Sequence, residues 1–355
     1  MKSACFFNNK GGVGKTTLAC NIASYIATHY GLRVLLVDAD PQCNATQLLL
    51  AEDVLEELYK EPRPRARQRI KREPVIADTL FDVLQPIAAG EPHIADSITP
   101  FPRSKNRFQI DLLPGHPQVS LLEDKLSQSW LSFGGGDLGG ARVTNWNTQL
   151  RAHLSTQYDL VFYDVGPSLG ALNRSVLVGT DFFVTPMGCD IFSIMGISNI
   201  ARWLREWLRA YSDSLGKCRE KWDIEEYGLK SDTASMSRFI GYMVQQYITK
   251  STGGQRRATR HYERILARIP KAIVGELESF VSPMTPPTNL RLPDVPHMYS
   301  LIPLAQNANA PIHLTEAADG LTGAQYSQKV EYVAFIHALS SAVLENLGEA
   351  PAHES

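Results

Sequence analysis

The sequence predicts an α/β protein built on a doubly wound, mostly parallel sheet, and three stretches carry that prediction. Residues 3–7, SACFF, are a short apolar run that stops at Asn8 and Asn9. Residues 33–40, RVLLVDAD, are an aliphatic run ending in two aspartates, and between the two runs Leu18, Ile22, Tyr25 and Ile26 recur at helical spacing before Gly31. Apolar runs without alternation suit strands buried on both faces of a parallel sheet. Strand, loop, helix and strand in that order form a βαβ unit.

The chain of 355 residues reads as one domain over 1–347, with insertions at about 51–75, 125–148 and 210–298 and a flexible tail at 348–355. A formal net charge of −2 gives no global pull toward nucleic acid or an acidic membrane, so any such contact has to come from a local patch. Cys5, Cys20, Cys43, Cys189 and Cys218 form no CxxC pair, which argues against a zinc site, an iron–sulfur cluster or a secreted disulfide framework. There is no apolar run of about 18 residues and no apolar leader, so a soluble, cytoplasmic protein is expected.

The loop after the first strand, KGGVGKTT at residues 10–17, fits G-x-x-x-x-G-K-[ST] with Asn9 or Lys10 where the first glycine would stand. Backbone N–H groups of Gly11, Gly12, Val13 and Gly14 can turn inward onto phosphate oxygens, and the helix N-terminus adds its partial positive charge. Lys15 would reach the outer phosphates and the Thr16 hydroxyl would ligate Mg²⁺, with Thr17 beside it, so ATP and Mg²⁺ are the expected cofactors. Lys10 is a second lysine that a phosphate loop does not need.

KGGVGKTT, VLLVDADPQCNAT (34–46) and YDLVFYDVGPSLG (158–170) together resemble the deviant Walker A ATPases of the ParA and MinD group, and are most similar to ParA. The likeness continues through residues 176–197 and returns at FIGYMVQQY (239–247) and SLIPLAQNANAPI (300–312). The resemblance implies a P-loop NTPase fold of the deviant Walker A type with insertions. It also implies a homodimer in the ATP state, in which Lys10 crosses to the phosphates held by the other subunit, as a cation supplied in trans would. The alternative for Lys10 is that it neutralises its own loop's phosphates. By the same resemblance Asp40 orients the attacking water, Asp38 supports the metal side, Asp164 is the Walker B carboxylate, and Gln246 and Pro303 border the adenine. The family commonly has two prolines after that aspartate; here the sequence is DVGPS, and Gly166 is expected to loosen the segment that senses the terminal phosphate.

The insertions hold the charge patches. Residues 60–74 carry seven Lys/Arg against two glutamates and read as an exposed basic arm or as a merely solvated loop. On a helix over 255–271, Arg256, Arg260, Arg264 and Arg268 would form a basic stripe opposite Tyr262, Ile265, Leu266 and Ile269, suited to non-specific phosphate contacts on DNA. Such a helix is otherwise an amphipathic surface element with its arginines in solvent. The segment 133–140 is expected to be a flexible glycine-rich link, and 281–297 a proline-rich surface excursion.

The phosphate loop begins within ten residues of Met1, so no N-terminal helix-turn-helix domain, and no operator-specific repression, is expected. The last helix, 326–347, has no Lys or Arg after Lys329, which disfavours membrane attachment. The expected function is a ParA-like ATPase that dimerises on ATP, binds DNA non-specifically and hydrolyses ATP when an adaptor of ParB type stimulates it. Such a protein serves segregation or cargo positioning on the nucleoid. The alternative is an ATP-gated regulatory switch that recruits a specific protein partner without DNA. A ligase or a cluster-bearing reductase on the same fold is opposed by Lys10 with DADPQ and by the absence of a cysteine pair.

Overall fold

A computed structural model describes residues 1–60, 76–245, 249–252, 255–258, 260–298 and 300–349, the backbone alone being described for 249–252, 255–258 and 260–261. Six strands form one parallel sheet: β1 (Lys2–Phe6), β2 (Val34–Asp38), β3 (Asp111–Leu113), β4 (Leu160–Asp164), β5 (Phe182–Gly188) and β6 (Arg238–Gln245), in the order β3-β2-β4-β1-β5-β6. Successive strand residues feed two separate cores. Cys5, Val37, Val161 and Tyr163 pack on one face, and Ala4, Phe6, Leu36 and Phe162 on the other, so the uninterrupted apolar runs are the mark of a sheet covered on both sides.

Helices α1 (Lys15–His29), α2 (Asn44–Leu49) and α3 (Glu52–Leu58) follow β1 and β2, and α4 (Leu80–Ala88) precedes β3. Between β3 and β4 lie α5 (Glu123–Gly134), α6 (Leu138–Thr144) and α7 (Trp146–Leu154). Then come α8 (Ala171–Gly179), the long α9 (Ile191–Arg219), α10 (Arg260–Leu277), α11 (Leu301–Asn307) and α12 (Gln325–Leu347). Helices α1 and α12 cover one face of the sheet, whereas α5, α8, α9 and α10 contribute to the core on the other.

Several expectations change here. Residues 133–140 are not a loose link: Gly134 ends α5, and Gly140 lies inside α6 so close to α5 that a Cβ would stand 2.6 Å from the Ser129 carbonyl oxygen. The stretch 281–297 is more than an excursion, because it runs along the open edge of β6. Tyr242 N donates to Leu290 O (2.8 Å), Leu292 N to Tyr242 O (2.9 Å) and Val295 N to Val244 O (2.9 Å), which satisfies backbone groups an edge strand would leave exposed. The stretches 125–148 and 210–298, read as insertions, supply Trp130, Phe133 and Trp146 to the first core, and β6, with side chains in both cores, to the sheet.

The helix expected over 255–271 is also divided. Gln255–Ala258 is a strand, β8, paired antiparallel with β7 (Thr249–Thr252), and the helix begins only at Arg260. Gly253 and Gly254 between two short runs are a hairpin signal that outweighs the helical spacing of the arginines. Arg256 is therefore not on the helix. The basic segment 61–75 and the tail 350–355 lie outside the described residues.

Candidate nucleotide site

The carboxyl ends of β1, β2 and β4 meet at one point, since β4 lies between the other two with Phe6 and Asp38 both in register with Asp164. The loop leaving β1 is fixed at its start by Asn8, whose side chain donates to Pro186 O (2.8 Å) and accepts from Lys10 N (2.9 Å). Gly12 and Gly14 then take φ of 71° and 74°, in the left-handed region where a side chain is strained. Gly14 is the N-cap of α1 and offers no side-chain cap, so the first N–H groups of that helix face the loop without an internal acceptor. A cavity of about 510 Å³ opens there, lined by this loop, Lys15, Thr16, Thr17 and Asp40.

The electrostatics behind the loop are unbalanced in a telling way. Lys15 is only 7% exposed; its Nζ donates to Lys10 O (3.2 Å), and burial lowers its pKa against the upward pull of Asp164 and Asp40. Asp164 is fully buried and neither carboxyl oxygen has a hydrogen-bond partner. Burial, with Asp38 beside it, holds its pKa well above the ordinary carboxylate value, while the Thr16 hydroxyl and Lys15 oppose that shift. Asp38 is buried too and pushed up to about 6, although it accepts from Thr46 N (2.8 Å), Thr46 Oγ1 (2.6 Å) and Asp40 N (3.3 Å). A buried carboxylate with no partner is costly on its own. A hydrated divalent cation at the Thr16 hydroxyl would supply the missing charge, and a phosphate chain would supply the acceptor that Lys15 and the bare helix end lack. The residues present thus fit Mg²⁺ and a nucleotide.

Lys10 points elsewhere. Its Nζ lies 2.5 Å from Asp190 Oδ2, in a neighbouring cavity of about 340 Å³ that also includes Gln245 and Tyr262. Asp190 is the N-cap of α9, accepting from Ser193 N (3.0 Å), and the Lys10 bond keeps its pKa low against burial. Pro303 is exposed on α11 and does not line the larger cavity, whereas Gln306 of the same helix does. Gln246 lies outside the described residues; its neighbour Gln245 approaches the loop so closely that a Cβ on Gly14 would meet its amide nitrogen at 2.0 Å. Gln42, Asn44, Gln47 and Pro167 also line the cavity. Gln42 and Asn44 stand within the DPQCNAT motif, and Gln245 and Gln306 within the two late segments that resemble the family, from which Gln246 and Pro303 were expected instead.

The profile of a family described as an AAA domain matches residues 1–216, more than half of the chain. The chain belongs to that family, as a ParA/MinD-type ATPase. It is 28% identical over 198 residues to the sporulation initiation inhibitor protein Soj of Bacillus subtilis, covering 56% of this chain and 62% of that protein. Over 197 residues it is 29% identical to the chromosome partitioning protein ParA of Caulobacter vibrioides, covering 55% of this chain and 59% of the relative. The alignments thus span about three fifths of these curated relatives. Among solved structures, protein DIP2308 of Corynebacterium diphtheriae is 33% identical, with a TM-score of 0.73 over 98% of this chain and 99% of that one. A ParA from pNOB8, solved bound to nonspecific DNA, shares the fold at 20% identity and a TM-score of 0.53, over 98% of each chain.

In this ParA/MinD-type chain the segment after Asp164 that contains Gly166 is anchored by hydrogen bonds. Asn173, buried at the start of α8, donates through Nδ2 to Gly166 O and Ser168 O, both at 2.8 Å. Glu123 of α5 accepts from Leu172 N (3.1 Å) and from Ala171 N, capping α8. Of the four arginines, Arg256 lies on β8 and Arg260, Arg264 and Arg268 lie on α10. Arg264 and Arg268 are exposed on α10, while Ile265 and Ile269 of the same turns are buried in the core. No described helix is long and apolar enough to cross a membrane.

Proposed function

We propose that the protein binds ATP with Mg²⁺, dimerises in that state, binds DNA non-specifically and hydrolyses ATP on stimulation by an adaptor of ParB type, in DNA segregation or cargo positioning. The observation that carries this reading is the unpartnered pair of Asp164 oxygens behind Lys15 and Thr16 at the mouth of the phosphate loop. Lys15 and the loop amides would hold the phosphates. Thr16, with Asp38 and Asp164 behind it, would hold Mg²⁺, which supplies charge neutralisation on the phosphate oxygens. Asp40, at the cavity wall, would orient the attacking water.

Lys10 would serve the other subunit, and in the single chain it is tethered to Asp190. Association must exchange that ion pair for a phosphate contact. Its side chain is 41% exposed, so the pair is weak enough to exchange. Phe192 and Met195, 69% and 57% exposed on the first turns of α9 beside Asp190, give this face an apolar rim that a second copy could cover.

The test is light scattering of an Asp40→Ala variant with ATP and Mg²⁺, with and without a random DNA fragment, at low and high salt. An ATP-dependent dimer that retains DNA at low salt alone is expected. A dimer indifferent to DNA would favour the second reading, a switch that recruits a specific protein partner. The division of the arginine stripe between β8 and α10 lends that reading some weight. A monomer under every condition would reject both.

A further inference from the structure

Gly166 departs from the family's pattern, and its backbone does not explain why: its φ lies outside the left-handed region that favours glycine. What surrounds it does. A Cβ at Gly166 would stand 3.1 Å from Asp40 Oδ1, 3.2 Å from Cγ and 3.3 Å from Oδ2, so the missing side chain is replaced by the whole Asp40 carboxyl group. The oxygen nearest that position, Oδ1, also accepts from Gln42 N at 3.0 Å. The carboxylate is therefore held by a backbone amide and abuts the bare Cα of Gly166.

We propose that Gly166 is a positioning residue for Asp40, its backbone forming a stop held from behind by Asn173. Asn173 fastens Gly166 O and Ser168 O, and Glu123 fixes the first turn of α8 that carries Asn173. The segment 165–170 cannot shift without carrying the surface on which Asp40 rests, so a displacement of that segment changes the aim of the carboxylate. Any Cβ here is tighter than ordinary contact and pushes the carboxylate aside by a few tenths of an ångström. The inference rests on the reading of Asp40 as the group that orients the attacking water. A small misplacement of such a group costs rate far more than affinity.

The test compares Gly166→Ala, Asp40→Ala and the double variant with wild type. The readouts are turnover at saturating Mg²⁺ and ATP, binding of a fluorescent ATP analogue, and the ¹³C carboxyl resonance of Asp40 in the nucleotide-free protein, assigned by its loss in Asp40→Asn. Gly166→Ala should lower kcat about tenfold with analogue affinity within about twofold. It should move the Asp40 resonance and lower turnover no further on the Asp40→Ala background. Asn173→Ala, which keeps glycine at 166, should lower kcat and move the same resonance, so the proposal stays testable if Gly166→Ala folds poorly. An unmoved resonance in both variants, or an equal rate loss with and without Asp40, would overturn the proposal while leaving Asp40 catalytic. Wild-type turnover in Asp40→Ala would instead overturn the reading beneath it.

Discussion

At the scale of single residues, the site is a set of charges whose balance is completed from outside the chain. Asp38 shows the sign: with its pKa raised from 3.8 to about 6, the native state binds a proton more tightly than the unfolded chain. Its contribution to stability is greatest at low pH and is lost as pH rises through that window. Asp164 shifts in the same direction for the same reason, burial. Asp164→Asn should therefore raise the melting temperature of the nucleotide-free protein at pH 7.5, and the gain should shrink as pH falls toward 4. With Mg²⁺ and ATP the wild type should become the more stable of the two; calorimetry across this pH range reads both effects. His313 behaves in the opposite sense. It is buried with neither ring nitrogen bonded, and burial, with His29 and Lys329 nearby, lowers its pKa to about 3. The stability it permits is present above pH 6.5 and lost as pH falls below it. His313→Phe should lower the pH midpoint of acid unfolding, followed by circular dichroism. The two lysines should separate as well: Lys15→Ala should abolish ATP binding by titration calorimetry, whereas Lys10→Ala should retain binding and lose the ATP-dependent dimer.

At the scale of elements, what mattered was which strand or helix each residue joined. The helical spacing of Arg256, Arg260, Arg264 and Arg268 is real in the sequence, but a strand claims the first of them. Only the part of the pattern with Ile265, Ile269 and Ile273 on its inner face had a core to dock on. Arg264→Glu with Arg268→Glu should weaken retention on random DNA without changing basal ATP turnover; unchanged retention in a filter-binding assay would move the contact to residues 63–72. The α5–α6 pair offers a stability test. Gly140→Leu would drive a side chain into the Ser129 carbonyl and the Phe133 amide of α5, and should cost about 2 kcal/mol or more, read from urea unfolding. The strands were legible because burial on both faces writes an unbroken apolar run. The helix pair at 123–144 was not, because its glycines serve close packing and look in sequence like those of a flexible loop.

At the scale of the whole molecule, a formal charge of −2 means that affinity for DNA has to come from one face, and it should be strongly salt-dependent. Raising salt from about 50 to about 200 mM should lower retention by at least tenfold if several phosphates are contacted, as a salt titration would read. The sequence by itself determined the parallel α/β fold, the phosphate loop with Lys15 and Thr16, and the aspartates at the strand ends, because each depends on local pattern or on a short contiguous motif. Only the tertiary structure decided that Lys10 rests on Asp190, that Gln245 and Gln306 stand at the loop and its cavity, that the 281–297 segment seals the edge of β6, and that Gly166 faces the Asp40 carboxylate. Those contacts join residues from about 50 to about 300 positions apart, and no periodicity in a single chain records which of its distant parts will meet.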